Sequence, residues 1–206
     1  MGLIIECYYY GNGDTNNTIK QSKNMVPLTK KQEQLLSEIH EYDECIKSIL
    51  SDLGEWEYIT LNRNGAAMVM MPVELIELGN LYSFRGHNWL QLENYKMASA
   101  DFTQAIEFIG ESNNYYGRGK AQYELGCFEN SFKDFTEAIE ISPDKVDYYY
   151  MRAKSGYMLG ISYYQGVVKD LVKVIELDRE NAEYYLTTFL STTSPPQKNK
   201  QKNKSE

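Results

Sequence analysis

Lys120 and Lys154 lie 34 residues apart, and each has a tyrosine four residues before it and another three after it: Tyr116 and Tyr123, then Tyr150 and Tyr157. On a helix, steps of four and three fall on one face. Each lysine with its two tyrosines would then form a cationic spot walled by rings. Such a spot suits a carboxylate carried next to apolar or aromatic groups, because tyrosine offers a large contact area with few rotamers to freeze. Glu124 beside them limits how anionic a ligand could be. Equally open is a structural use, in which the tyrosines cover neighbouring helices or receive the N-terminal segment.

Other reactive residue types do not assemble into a catalytic set. His40 and Cys45 share a helix but are five residues apart, about 140° around it, so they cannot act as a base and nucleophile pair. His87 is the other of the two histidines. Gly11-Asn-Gly13 follows a possible strand, yet Asn16 stands in the third glycine slot of a dinucleotide loop. Gly117-Arg-Gly119-Lys120 falls inside a helical repeat, where it cannot wrap phosphate. Cys7, Cys45 and Cys127 share no close spacing and are odd in number, which suggests neither a disulfide framework nor a zinc site and fits a reducing cytoplasm. No catalytic residue, cofactor or metal is expected.

The lysines belong to a repeating background. Tyr82-Ser-Phe-Arg85-Gly86, Tyr115-Tyr-Gly-Arg118-Gly119 and Tyr149-Tyr-Met-Arg152-Ala153 are followed by Ala98-Ser-Ala-Asp101-Phe102, Ser131-Phe-Lys-Asp134-Phe135 and Val167-Val-Lys-Asp170-Leu171. The arginines fall 33 and 34 residues apart, the period of stacked helical hairpins. An active site is needed once, whereas a packing device is needed in every repeat. Arg85 with Asp101, Arg118 with Asp134, and Arg152 with Asp170 are therefore expected as partly buried ion pairs within each hairpin. Gly86, Gly119 and Ala153 leave room for Phe102, Phe135 and Leu171.

In the middle copy Tyr115, Gly119, Leu125-Gly126, Phe128, Phe135, Ala138-Ile139 and Pro143 give a large and small pattern that resembles the tetratricopeptide repeat family. The resemblance implies a right-handed α-solenoid of three helix-turn-helix repeats whose first helices line a concave groove. It places Ser83, His87 and Leu90, then Tyr116, Lys120 and Tyr123, then Tyr150, Lys154 and Tyr157 on the groove face. The partner it implies is a peptide segment of another protein. Members that clamp the terminal carboxylate of cytosolic heat-shock chaperones use lysines, asparagines and an arginine, whereas the corresponding slots here hold Ser83, His87, Gly117, Asp147 and Met151. That clamp is not expected. In the third copy the step from Arg152 to Asp170 is two residues longer than in the others, through Gly160-Ile-Ser-Tyr163-Tyr164-Gln-Gly166.

Around the repeats, four segments are expected. Residues 1–27 form a strand and polar loop. Residues 28–71 hold an amphipathic helix, opened by a Thr29 to Gln32 capping box and stopped at Gly54, and then a β-hairpin about Asn64-Gly65. A helix over Ala66 to Met71 is the alternative. Residues 72–190 hold the three repeats and a helix that caps them with Tyr185, Leu186 and Phe189. Residues 191–206 form a disordered tail rich in lysine and asparagine.

The seam of the first helix, Leu35, Ile39, Tyr42, Ile46, Ile49 and Leu53, is too short for an independent coiled coil. It must dock on the rest of the chain or on a second copy. Pairing through it would make a homodimeric holder for an aggregation-prone client, in a layout that resembles three-repeat secretion chaperones. A formal charge of −8 speaks against binding nucleic acid by phosphate neutralisation. No apolar run suggests a membrane span. The expectation is a cytoplasmic adaptor or scaffold.

Overall fold

Helix-forming stretches separated by glycine, proline and asparagine make the described residues almost wholly α. The computed structural model describes residues 28–53 and 73–193. Within them lie eight α-helices: α1 (Lys30–Leu53), α2 (Val73–Gln91), α3 (Tyr95–Phe108), α4 (Ser112–Glu124), α5 (Phe128–Ile141), α6 (Val146–Leu159), α7 (Tyr164–Leu177) and α8 (Ala182–Thr193). A single 3-10 turn, Ile161–Tyr163, precedes α7. The strand expected near residues 3–10 and the hairpin or helix expected over 56–71 lie outside the described residues. So does most of the tail, although α8 continues through Thr193, past the point where the tail was expected to begin.

Local chemistry explains the boundaries. Thr29 and Gln32 form a reciprocal capping box at the start of α1: the Gln32 N–H donates to Thr29 Oγ1 at 3.3 Å, and the Thr29 N–H donates to Gln32 Oε1 at 3.0 Å. Asn94 Oδ1 caps α3 by accepting from the Met97 N–H. Gly126 and Gly160 carry positive φ of 78° and 97° after α4 and α6, a conformation that glycine adopts without strain. Gly160 also releases the longer third turn, which is taken up by the 3-10 segment.

The chain divides into two compact units, residues 1–126 and 127–206. In the first, Leu35 and Ile39 of α1 join Trp89 and Leu92, Ala98 and Phe102 of α3, and Ala121 of α4 in one buried cluster. Ile46 is buried as well. The seam of α1 thus docks on its own chain, and these three residues are spent there rather than on a second copy. Phe102 is fully buried between helices that carry glycine where they approach it. A Cβ on Gly86 would come 3.2 Å from its ring, and one on Gly117 would lie within 2.7 Å of it. In the second unit Ala153, Val167 and Phe189 form a cluster on which Tyr150, Tyr157 and Leu171 pack. Ser131 and Ser155 hydroxyls meet there at 2.9 Å, which satisfies both buried groups.

Candidate functional site

The arginines of the repeat sit between helices. Arg85 on α2 grips Asp101 on α3 with two hydrogen bonds, Nε to Oδ2 at 2.8 Å and Nη2 to Oδ1 at 2.6 Å. Arg152 on α6 holds Asp170 on α7 the same way, at 2.9 and 2.6 Å. Two parallel N–H···O bonds per pair exploit the planar fork that lysine lacks. Arg118 and Asp134 belong to different units.

Each arginine also reaches back to the helix before its own hairpin, with the same nitrogen every time. Nη1 donates from Arg118 to Thr103 Oγ1 at 3.4 Å and from Arg152 to Thr136 Oγ1 at 3.3 Å. Arg85 uses its Nη1 on Asp43 of α1. One guanidinium there serves two carboxylates. Burial lowers the affinity of the Arg85 guanidinium for its proton, but hydrogen bonds and charge from Asp101 and Asp43 outweigh it and hold the group charged. The Asp101 carboxyl is pushed above its ordinary range, first by burial and further by the Asp43 charge, while Arg85 only partly offsets the rise.

The residues expected on the groove face fare differently from one helix to the next. On α2, Ser83 donates to Asn114 Oδ1 at 2.6 Å and Leu90 packs on the core, so both have packing roles. His87 is exposed, with Nδ1 2.8 Å from the Ser83 carbonyl oxygen and its ring edge-on to Phe102 at 4.9 Å. On α4, Lys120 lies with Nζ 5.6 Å from the centroid of Tyr116, and Tyr123 is half-buried. Burial, then the charge of Glu124, raises the Tyr123 phenol above its ordinary value.

On α6 the same arrangement recurs, with Lys154 Nζ 6.0 Å from the Tyr150 centroid. Here the rings also serve packing. Tyr150 meets Tyr185 at 5.2 Å and Phe189 at 6.5 Å, and Tyr157 meets Phe189 at 5.7 Å and stacks on Tyr164 at 5.9 Å. The structural use of the tyrosines is therefore realised on α6, where they seat α8. Sequence spacing did not reveal this, nor the Tyr185 hydroxyl that approaches Asp147 at 3.4 Å.

What α4 and α6 each present is a lysine held over a ring. An aromatic face attracts an ammonium without neutralising its charge. Cys45 and Cys127 are exposed free thiols. Among the described residues no group of three His, Cys, Asp or Glu could hold a metal ion, and no helix is long and apolar enough to cross a membrane.

No family model matches the chain, and no curated protein matches it. Solved structures do. The Arabidopsis OM64 TPR domain aligns with a TM-score of 0.51 at 21% identity, over 57% of this chain and 98% of that one. The first TPR of Spaghetti (RPAP3), bound to the HSP90 peptide SRMEEVD, aligns with a TM-score of 0.50 at 18% identity, over 55% and 91%. YrrB, a TPR protein with an unusual peptide-binding site, aligns with a TM-score of 0.51 at 15% identity, over 85% and 81%.

Proposed function

We propose, from the premise that this chain has the tetratricopeptide-repeat fold, that it is a protein-interaction module whose ligand is a peptide segment of another protein. The ligand carries a carboxylate next to apolar or aromatic side chains, and the lysine and tyrosine face of α4 meets one such group, as the face of α6 does in its own unit. The observation that carries this reading is the repetition itself: Lys120 over Tyr116 and Lys154 over Tyr150, the same construction built twice. On α6 packing accounts for the ring of Tyr150, which meets Tyr185 and Phe189, and does not itself require a cation above it. His87, exposed on α2, takes the place of a third lysine and offers a hydrogen-bonding edge instead.

Two of the structures above are of proteins described as peptide-binding, one of them bound to an HSP90 peptide, which supports a role of this class. The chaperone peptide itself is a poor fit, because Ser83, His87, Gly117, Asp147 and Met151 stand where its clamp needs cations and amides. The holder reading, a dimer formed through α1, loses support because Leu35, Ile39 and Ile46 are already buried in the chain. A cytoplasmic adaptor remains the biological setting that suits this chemistry.

The test is selection from a displayed random-peptide library on the wild-type protein beside Lys120→Glu/Lys154→Glu. The wild type should enrich peptides that pair Asp, Glu or a free C-terminus with aromatic residues, and the variant should bind them at least about tenfold more weakly, some 1.4 kcal/mol. Identical selections by the two proteins would sink the proposal.

A further inference from the structure

His87 holds on α2 the place that Lys120 holds on α4, 33 residues later, the same step that separates Arg85 from Arg118. Its chemistry there is the opposite of a lysine's. Nδ1 lies 2.8 Å from the carbonyl oxygen of Ser83, one turn back on the same helix. A carbonyl oxygen can only accept, so Nδ1 carries a proton and donates it, and in the neutral ring Nε2 is left with a bare lone pair. Nε2 makes no hydrogen bond among the described residues, and His87 is exposed. Lysine has three donors and no acceptor. What His87 keeps for a ligand is an acceptor.

The ring is held in that sense. Turning it over would put a C–H in the place of Nδ1 and lose the bond to Ser83. On its other contact it stands at 85° to the ring of Phe102, centroids 4.9 Å apart, and Phe102 is fully buried. The same Phe102 ring lies within 2.7 Å of where a Cβ on Gly117 would be, so one ring underlies His87 on α2 and the turn of α4 that leads to Lys120. The two helices are also tied directly. The Ser83 hydroxyl donates to Asn114 Oδ1 at 2.6 Å, and the buried Asn114 amide donates to the Ile109 carbonyl oxygen at 3.0 Å. All of these residues belong to the first unit.

We infer that the ligand carries a hydrogen-bond donor for His87 beside the carboxylate for Lys120, an inference that rests on the peptide-binding reading above and narrows it. Packed helix axes lie about 10 Å apart, which an extended peptide spans in about three residues. The donor is a side-chain amide, hydroxyl or ammonium at that distance from the acid. A second carboxylate there would meet a lone pair with its own lone pairs, which leaves both without a proton to share. The charges nearby act in the same direction. Glu124 is exposed four residues after Lys120, and the Tyr95 phenol is raised first by burial and then by the charges of Glu124 and Glu93. This end of α2 and α4 therefore repels a further anion and favours a cationic donor.

Two measurements on the full chain at about pH 8, on the alkaline side of an ordinary imidazole, test this. The first needs no ligand. Long-range nitrogen–proton correlation spectra, with His40→Gln to assign the two histidines, should show His87 protonated at Nδ1 and bare at Nε2. A ring protonated at Nε2, or one that exchanges between both tautomers, overturns the inference and leaves the peptide reading standing. The second is selection from a displayed random-peptide library. Wild type should enrich Asn, Gln, Ser, Thr, Lys or Arg about three residues from an Asp or Glu and deplete acids at that place. His87→Phe should lose the donor preference and bind the selected peptides about tenfold more weakly. His87→Lys should reverse the preference and select a second acid. A wild type that selects acidic peptides with no donor at that spacing, or variants that select as the wild type does, overturns this inference alone. A wild type that enriches no peptide overturns the peptide reading and this inference with it. Circular dichroism checks that the variants keep their helices, as expected for an exposed position.

Discussion

Arg85 reaches Asp43 on α1 with the guanidinium nitrogen that its counterparts direct at threonine hydroxyls, so the first rung of the array holds two carboxylates on one cation. Asp101 is buried and Asp43 nearly so. Removing the cation leaves both charges facing each other, whereas removing Asp43 leaves a complete Arg85–Asp101 pair. Arg85→Leu should cost about 3–5 kcal/mol in urea unfolding. Asp43→Thr, which rebuilds the rung as the other repeats have it, should change stability by less than about 1 kcal/mol. Equal losses from the two substitutions would show that Asp43, not Asp101, is the partner that matters.

The same rung sets a pH dependence. Burial raises the Asp101 carboxyl, so the folded state binds its proton more tightly than the unfolded chain does. The stability this group contributes is greatest below about pH 4 and is lost as pH rises through its raised value. Compared with Asp101→Asn, the wild type should therefore gain stability as pH falls from about 6 to 4. Denaturant midpoints measured across that interval check the sign, and a relative loss on acidification would contradict it.

Gly117 faces Phe102 so closely that any side chain must displace the ring, which is fully buried and has nowhere to go. Gly117→Ala should destabilise by about 1–3 kcal/mol despite the better helix propensity of alanine. Gly166, near the start of α7, has nothing within 4 Å of its Cβ direction, and Gly166→Ala should instead stabilise by up to about 1 kcal/mol. Thermal melts of the two variants, moving in opposite directions, are the expected result.

How far the sequence could be read follows from where its signals were local. The place Gly86 makes for Phe102 and the arginine forks on Asp101 and Asp170 belong to a pattern that recurs from copy to copy, so repetition itself marked them as packing. Asp43 had no such mark. It lies 42 residues before Arg85, across residues 54–72, where the repeat period breaks, and its aspartate replaces a threonine. The contact of α1 with Arg85 was hidden for that reason, although its amphipathic seam had shown that it must dock. Gly117 was hidden by its neighbour: set beside Gly119 it resembled part of a glycine loop, while its contact is with a ring on another helix. On α6, spacing put Tyr150 and Tyr157 on one helical face and set Tyr185 and Phe189 on a capping helix, but did not show that the two sets of rings meet.

That contact gives the last expectation. Phe189 is buried at the end of α8, touching the rings of Tyr150 and Tyr157 and the cluster of Ala153 and Val167. Tyr184, five residues earlier on the same helix, is largely exposed. If α8 seats the second unit through its inner face, Phe189→Ala should cost about 3–5 kcal/mol, as for other buried phenylalanines. Tyr184→Ala should stay within about 0.5 kcal/mol. Hydrogen exchange separates local from global effects: Phe189→Ala should speed exchange in α6, α7 and α8 and leave α1 to α3 near their wild-type rates. Uniform acceleration along the whole chain would mean that α8 supports more than its own unit, and unchanged exchange in α6 would mean that it does not seat on Tyr150 and Tyr157 at all.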